Sequence, residues 1–284
     1  MKHPDKWRDT LDVFKLPLGS IKIIEVLGYP HAGNDVVHLR ILYQQRELTA
    51  YIKVERQAGA DISNEVKVLS ELALPFVPKL LSYSLNEPRY IITEEAFGER
   101  LSKIVEDKPS IDVKTYLVKQ ADLLSQYHNT RIKWAPVKDR RFFHIPDKDY
   151  CEKYSLDSVR DFLTSHIPQN HTNCFVHGDF HYANMLWDKD NISCVLDYEL
   201  SGQGICEFDM AWSIFLRPSQ SFADAWDDVI AFLSGYNGKF DFASFCYYYI
   251  QIAVHFYPLG NEGYQQKVLM LIDNAVEAYF KNKQ

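Results

Sequence analysis

The 284-residue chain lacks the features of a secreted, membrane or nucleic-acid-binding protein. Its five cysteines are an odd number without a Cys-x-x-Cys pair, which excludes a disulfide framework and argues against zinc. The longest apolar run, 245–257, contains Gln251 and His255 and is too short to span a bilayer. A net charge of −7 argues against nucleic acid or an anionic membrane as a partner. The first ten residues contain no apolar signal-peptide segment, so we expect a cytoplasmic protein with reduced thiols.

The chain does contain a cluster of oxygen-bearing side chains next to two short apolar runs. Cys174–Val176 is followed by Asp179, and Ile192–Leu196 is followed by Asp197, with Asn184 between the two acids. We expect both runs to be strands whose ends are neighbours, so that rigid backbone holds the polar groups at an open loop. Carboxylate and carboxamide oxygens suit Mg²⁺, and such a set also suits phosphoryl transfer.

The sequence HGDFHYAN (177–184), followed by LDYE (196–199), resembles the catalytic segment of the aminoglycoside phosphotransferase/choline kinase family of small-molecule kinases. That family has H-G-D-x-x-x-x-N, a β-hairpin and then two apolar residues and Asp; the spacings of five and eighteen residues match here. The simpler alternative is an Asp- and Asn-rich turn. The resemblance implies an α+β, bilobal, protein-kinase-like fold. An N-terminal antiparallel sheet lobe with one helix would span 1–95, and a larger, mainly helical lobe 96–284.

The first third of the chain has the composition of strands around one helix. Residues rich in β-branched and aromatic side chains predict strands over Ile21–Leu27, Val36–Tyr43, Leu48–Val54, Lys79–Ser84 and Tyr90–Glu94. Helical spacing of apolar residues predicts a helix over Asp61–Leu74. A lone lysine on a strand, such as Lys53, is usually solvated. The resemblance instead pairs it with Glu65 of the helix to hold the α- and β-phosphates of a nucleotide.

The resemblance also implies where the rest of a nucleotide would bind. The segment YIITEEAFG (90–98) corresponds to the hinge between lobes, where backbone groups of Glu94 and Ala96 would contact the base of ATP or GTP. The segment GYPHAGND (28–35) lies where a kinase covers the phosphates, although an ordinary hairpin loop fits it equally well.

Roles for the polar cluster follow from the same resemblance. Asp179 would be the catalytic base that accepts the proton of the acceptor hydroxyl, and Asn184 and Asp197 would hold Mg²⁺. His177 would brace the loop backbone. Asp209 would tie that loop to the following helix, or simply compensate a helix N-terminus.

The sequence allows more than one role for two further side chains, His181 and Glu199. His181 could approach the γ-phosphate or pack in the loop, and Glu199 could be a further metal ligand or lie outside the metal's ligands.

The remainder of the chain is punctuated by proline and glycine and has helical periodicity. The predicted helices are Arg100–Glu106, Val113–Thr130, Tyr154–Ile167, Glu207–Leu216, Phe222–Tyr236, Phe242–Phe256 and Tyr264–Lys281. Asp209 follows Asp197 by only twelve positions, which leaves no room for a peptide-binding platform. We therefore expect a small hydroxylated acceptor.

The acceptor class is the least determined feature. An aminoglycoside-like antibiotic, and hence a role in antibiotic resistance, is the first candidate; choline, ethanolamine, homoserine or a sugar is the alternative. Acidic residues at 224, 227 and 228 and aromatic ones at 247–249, 256 and 257 would suit a cation, but also a solvated helix face and a core. The basic residues Lys138, Arg140 and Arg141 are predicted to be a solvated face, with contact to a phosphate or an acidic group as the alternative. More distant alternatives are a metal-dependent phosphoesterase and a non-catalytic kinase-like binding protein.

Overall fold

The computed structural model describes residues 12–30, 35–55, 61–72 and 76–282. By packing, they form two compact units. Unit 1 comprises the chain up to Phe97 together with Cys194–Glu199, and unit 2 comprises Gly98–Ser193 and the chain from Leu200 onward. The functional division into 1–95 and 96–284 stays a prediction.

Unit 1 is built on a five-stranded antiparallel sheet with the strand order β1-β2-β3-β5-β4. The strands are β1 (Lys22–Gly28), β2 (Asp35–Tyr43), β3 (Arg46–Val54), β4 (Leu80–Ser84) and β5 (Tyr90–Glu94). Alternation along β3 buries Ala50, Ile52 and Val54 in the core and turns Lys53 to the other face.

One helix, α1 (Ile62–Glu71), follows β3 and packs against β4 and β5. Its first turn is capped by the Asp61 carboxylate, which accepts a hydrogen bond from the Asn64 N–H. Its buried face includes Ile62, Val66 and Leu69, at the spacing that predicted it.

Unit 2 is mainly helical. Its helices are α2 (Leu101–Asp107), α3 (Val113–His128), α4 (Lys148–Lys153), α5 (Asp157–Ser165), α6 (Cys206–Ile214), α7 (Trp226–Gly235), α8 (Phe242–Phe256) and α9 (Glu262–Lys281). α8 packs against α6 and α9, and thirteen of its fifteen residues are buried. None of the helices in the described part of the chain has the length and apolar character needed to span a bilayer. The predicted α+β class is confirmed.

The helix predicted over 154–167 is present as α5, which is shorter at both ends, whereas α4 lies before it and was not predicted. α4 ends at Lys153 and α5 begins at Asp157. Between them Ser155 has φ +56°, a left-handed conformation that a helix cannot accommodate. The spacing of apolar residues in a sequence does not predict a helix end that depends on the conformation of one residue.

The strands around the polar cluster form two small sheets. β6 (Asn173–Val176) pairs antiparallel with β9 (Gly202–Ile205), and β7 (Met185–Asp188) pairs with β8 (Asn191–Val195). The strands that precede Asp179 and Asp197 are therefore not neighbours, and that expectation is wrong. The partner of β6 has the sequence GQGI, whose two glycines are untypical of a strand.

Gly178 is a position in unit 2 where only glycine fits. Its φ is +81°, and a Cβ there would lie 2.3 Å from the carbonyl oxygen of Leu200. We expect Gly178→Ala to lower the free energy of unfolding by roughly 2–4 kcal/mol, through backbone strain and overpacking. Denaturant unfolding measures this. Gly263→Ala in α9 is the control, since the nearest atom to its new Cβ would be 3.7 Å away; equal stability of the two variants would contradict the prediction.

Candidate active site

In unit 1, Lys53 lies at the centre of three carboxylates. Its Nζ is 2.9 Å from Glu65 Oε2, 2.9 Å from Asp197 Oδ1 and 2.9 Å from Glu199 Oε2. β3 positions the lysine, α1 positions Glu65, and the 194–199 segment supplies the other two. The lysine side chain is 15% exposed and the Glu65 side chain 8%, so this is not a solvated strand lysine.

The charges of this cluster do not balance. Burial by itself lowers the pKa of Lys53, but Glu65, Asp197 and Glu199 outweigh it and raise that pKa well above its usual value. Burial raises the pKa of Glu65, and the charge of Lys53 opposes that rise. Three carboxylates around one ammonium leave an excess of negative charge. One oxygen from each carboxylate lies within 4.8 Å of the others, with Lys53 Nζ 2.9 Å from all three. Glu65 pairs with the lysine, and the oxygens of Asp197 and Glu199 are donors of the kind that suits a hard divalent cation such as Mg²⁺.

The segment that carries Asp197 is held against α1. Asn64 Nδ2 donates to the carbonyl oxygen of Glu199 at 3.0 Å, and Tyr198 N donates to Glu65 Oε1 at 3.5 Å. Asp197 has φ +67°, a conformation that is disfavoured for a side chain other than glycine and persists only where surroundings hold it. These contacts fix the Asp197 carboxylate beside Lys53.

The predicted base-binding segment follows β5. Glu94 N already donates to the carbonyl oxygen of Lys79 at 2.9 Å, and Glu95 N to that of Thr49 at 2.9 Å. A base at this segment could therefore use the Glu94 carbonyl but not its N–H. Ala96 is partly buried. Of the predicted phosphate-covering loop, residues 31–34 lie outside the described residues.

In unit 2, three donors surround the Asp179 carboxylate. Trp212 Nε1 donates to Oδ1 at 2.8 Å, and Asn184 Nδ2 donates to Oδ2 at 2.9 Å. His181 Nε2 is 3.4 Å from Oδ1. Because His181 Nδ1 accepts from the Ala183 N–H at 3.2 Å, a neutral His181 carries its proton on Nε2 and points it at Asp179.

These donors keep Asp179 ionised. Burial raises the pKa of this carboxyl, but the hydrogen bond and charge of His181, the charge of Arg217 and the Trp212 donor together hold it well below its usual range. The carboxylate is thus an acceptor in a fixed orientation, with little intrinsic basicity.

Asn184 is oriented by the same carboxylate. Its Nδ2 donates both to Asp179 Oδ2 and, at 3.0 Å, to the Asp179 carbonyl oxygen. The amide nitrogen is therefore engaged within the loop, and the amide oxygen is the atom left for a metal. This arrangement fits the predicted ligand role.

One face of α6 holds three consecutive residues of the 177–184 loop. The Asp209 carboxylate accepts from the N–H groups of His177 at 3.1 Å and Gly178 at 3.0 Å. Trp212, three residues later on the same face, bonds to Asp179. His177 is fully buried, and its Nδ1 accepts from the Asp179 N–H at 3.2 Å.

With this geometry in place, similarity to known proteins decides the family. A model of the phosphotransferase enzyme family (APH) matches residues 34–245. The chain belongs to this family. The resemblance drawn from the sequence is thereby confirmed, and the protein is a phosphotransferase with a hydroxyl group as acceptor. No curated protein matches the chain.

Solved structures share the fold of this phosphotransferase at low sequence identity. The choline kinase LicA of Streptococcus pneumoniae is 15% identical with a TM-score of 0.58, covering 92% of this chain and 94% of its own. A mutant of aminoglycoside phosphotransferase APH(4)-Ia in complex with AMP-PNP and hygromycin B is 14% identical with a TM-score of 0.61, covering 90% and 94%. An ethanolamine kinase of Plasmodium vivax is 13% identical with a TM-score of 0.55, covering 93% and 84%.

Sequence reasoning missed three side chains near Asp179 of the phosphotransferase. Trp212 could have been found from its spacing to Asp209 on one helix face. Arg140 was predicted to be solvated, and this is wrong: it is half-buried, with its guanidinium carbon 5.1 Å from the Trp212 ring centre and 4.8 Å from that of Phe143. Arg217 is buried, and burial lowers its pKa to about 10. Its Nη2 donates to the Trp212 carbonyl oxygen at 2.8 Å.

Proposed function

We propose that this phosphotransferase is a small-molecule kinase that transfers the γ-phosphate of ATP or GTP to a hydroxyl group. The observation that carries the proposal is the Asp179 carboxylate, which Trp212, Asn184 and His181 hold ionised and in one orientation. Phosphoryl transfer passes through a loose transition state that needs little base strength, so a fixed carboxylate of low pKa suffices.

Asp179 acts on the acceptor. Its carboxylate accepts a hydrogen bond from the hydroxyl, orients the attacking oxygen and takes the proton as the new bond forms. The Trp212 and Asn184 donors prevent the carboxylate from turning away, which keeps the hydroxyl in a productive orientation.

The groups of unit 1 act on the nucleotide. Lys53, fixed by Glu65, contacts the α- and β-phosphates, and the backbone of Glu94 and Ala96 contacts the base. Asp197, together with Asn184 of unit 2, would hold Mg²⁺, which would neutralise charge on the phosphates. Glu199 contacts Lys53 at the same distance as Asp197 does, and it would add a second carboxylate for the metal.

The acceptor predicted first from the sequence is aminoglycoside-like, and the charges of unit 2 favour the alternative, a small metabolite. The acidic residues that would attract a polycation have other partners: Asp224 pairs with Lys267, and Asp228 caps the first turn of α7. The side chains with charge acting on Asp179 are instead cations, including Arg217 and Arg140.

A cavity in unit 2 has the size for such a metabolite. It is about 350 Å³ and is lined by Arg140, Phe143, Phe208 and Tyr248 together with Gly178, the residue before Asp179. A guanidinium among aromatic rings suits an acceptor with a carboxylate or several hydroxyls, such as homoserine or a sugar, better than a polyamine.

A nucleoside-diphosphate release screen tests the acceptor. Aminoglycosides, choline, ethanolamine, homoserine and sugars are offered with ATP or GTP, and we expect turnover with a hydroxy acid or sugar. Arg140→Gln should then raise the acceptor KM at least about tenfold, since a charge-assisted hydrogen bond contributes about 1.5–3 kcal/mol, without changing the nucleotide KM. The exposed neighbour Arg141→Gln is the matched control.

The other outcomes of the screen identify the alternatives. If an aminoglycoside is phosphorylated and its KM is the same in Arg140→Gln as in the unchanged protein, the antibiotic is supported as acceptor. Hydrolysis of a phosphoester such as p-nitrophenyl phosphate, with the metal but without nucleotide, would indicate a phosphoesterase. Tight nucleotide binding without turnover on the whole panel would indicate a non-catalytic binding protein.

A further inference from the structure

A buried group of nitrogen and sulfur atoms lies in unit 2 next to the 177–184 loop. His128 ends α3, Cys174 lies in β6, and Cys206 begins α6. One ligand atom from each lies within 4.8 Å of the others, and all three residues are buried. His128 Nδ1 is 3.2 Å from Cys206 Sγ.

The histidine is oriented as a metal ligand would be. Its Nε2 is 3.2 Å from Asp209 Oδ2, which leaves Nδ1 for the sulfur side. Histidines that bind metals commonly donate their second ring nitrogen to a carboxylate, which fixes the ring and its tautomer. A fourth polar atom is at hand: the Tyr236 hydroxyl oxygen is 2.8 Å from His128 Nδ1 and 3.0 Å from Cys206 Sγ.

Cys206 differs from the other buried cysteines in its pKa. Burial raises the pKa of Cys194 to about 12 and that of Cys246 to about 12, as expected for inert packing thiols. The hydrogen bond from Cys174 lowers the pKa of Cys206 to about 6; burial opposes this, and His128 adds to it, whereas the same hydrogen bond and burial raise the pKa of Cys174 well above its usual value. A thiolate is the form of cysteine that binds metals.

We propose that His128, Cys174 and Cys206 bind a soft divalent cation of the Zn²⁺ or Cd²⁺ class, with the Tyr236 hydroxyl or a water as fourth ligand. One imidazole and two thiolates are a ligand set that Zn²⁺ uses in proteins. The sequence argued against zinc because its cysteines have no close spacing. The ligands are instead 46 and 32 residues apart, and only the fold brings them together.

The site lies near a cavity and is connected to the 177–184 loop. The cavity lined by Arg140 also reaches Asn173 and Ile205, the chain neighbours of Cys174 and Cys206. A metal on His128 would fix the ring that contacts Asp209, whose carboxylate holds the N–H groups of His177 and Gly178. Occupancy would therefore stiffen the loop that carries Asp179.

The test is a titration of the metal-free protein with Co²⁺, whose absorption spectrum depends on the atoms that bind it. We expect one tightly bound equivalent, with tetrahedral visible bands and a near-ultraviolet thiolate-to-cobalt band that Zn²⁺ abolishes. Cys174→Ala should lose about half of the thiolate band, because one of two thiolates is removed, and should weaken binding at least about tenfold. Cys246→Ser, also buried in unit 2, should titrate like the unchanged protein.

Thermal melting supplies a second readout that does not depend on turnover. Zn²⁺ should raise the melting temperature of the unchanged protein and of Cys246→Ser, since it binds the folded chain. It should have a smaller effect on Cys174→Ala, whose metal-free melting curve also shows whether that variant folds. A cobalt spectrum without a thiolate band, or equal stabilisation of all three proteins, would overturn the proposal. Because neither readout needs an acceptor, the result is independent of the proposed kinase activity.

Discussion

Asp179→Asn is expected to lower kcat by about 10³-fold, within the range for loss of a positioned general base. The substitution keeps the size of the side chain and removes its charge, so the hydroxyl loses its proton acceptor. Asparagine can still bond to Trp212 or Asn184, and the fold should persist. Single-turnover phosphate transfer to the acceptor found in the screen measures the effect.

The matched control is Asp190→Asn, since Asp190 is an exposed carboxylate of the same unit that pairs with Lys119. It should leave kcat within about twofold, because exposed ion pairs contribute little. Nucleotide affinity should be similar in both variants, because the described contacts of Asp179 do not include Lys53. A kcat for Asp179→Asn near that of the control would show that another group orients the hydroxyl.

Lys53→Met is expected to destabilise the protein by about 3–5 kcal/mol and to abolish detectable turnover. Methionine fills similar volume but leaves the buried Glu65 and the half-buried Asp197 and Glu199 without their ammonium. Removing one partner of a buried ion pair costs this much because the remaining charge stays in the interior. Denaturant unfolding measures the stability, and nucleotide titration measures the lost phosphate contact.

The loss of stability in Lys53→Met should depend on pH, and the direction of that dependence identifies its cause. Burial already raises the pKa of Glu65, and without Lys53 it must rise further. The folded variant then holds a proton that the unfolded chain has released, so its stability falls as pH rises. We expect a larger deficit at about pH 8 than at about pH 5. A deficit independent of pH would point to packing, and the exposed Lys103→Met should show neither effect.

The parts of the fold that rest on periodicity could be predicted from the sequence. The bounds of α8 are those predicted, since apolar residues cover almost its whole surface. The pairing of β6 with β9 could not be predicted from the sequence. The segment GQGI forms a strand because it pairs with β6, and not because of its own composition. A break such as the one at Ser155 depends on a single backbone conformation.

The candidate site shows the same division. Asp179, Asn184, Lys53 and Glu65 could be proposed because the family pattern fixes their spacing. Trp212 and Arg140 could not, since their contacts depend on how α6 and the 138–143 segment pack. The sulfur and nitrogen atoms around Cys206 were missed for the same reason. Chemistry carried by residues distant in sequence becomes visible only in the folded chain.

Unit 1 consists of two separate segments of the chain, and this limits where the protein can be divided. The chain enters this unit a second time for six residues, Cys194–Glu199, and two of the three carboxylates around Lys53 come from that return. A fragment ending at Phe97 would retain the sheet and Glu65 but neither Asp197 nor Glu199. No single cut of the polypeptide yields a piece that contains unit 1 with all three carboxylates around Lys53 and nothing of unit 2. Split versions of this enzyme would have to supply the short return segment in trans, and a circular permutant would have to keep it continuous with the chain on both sides.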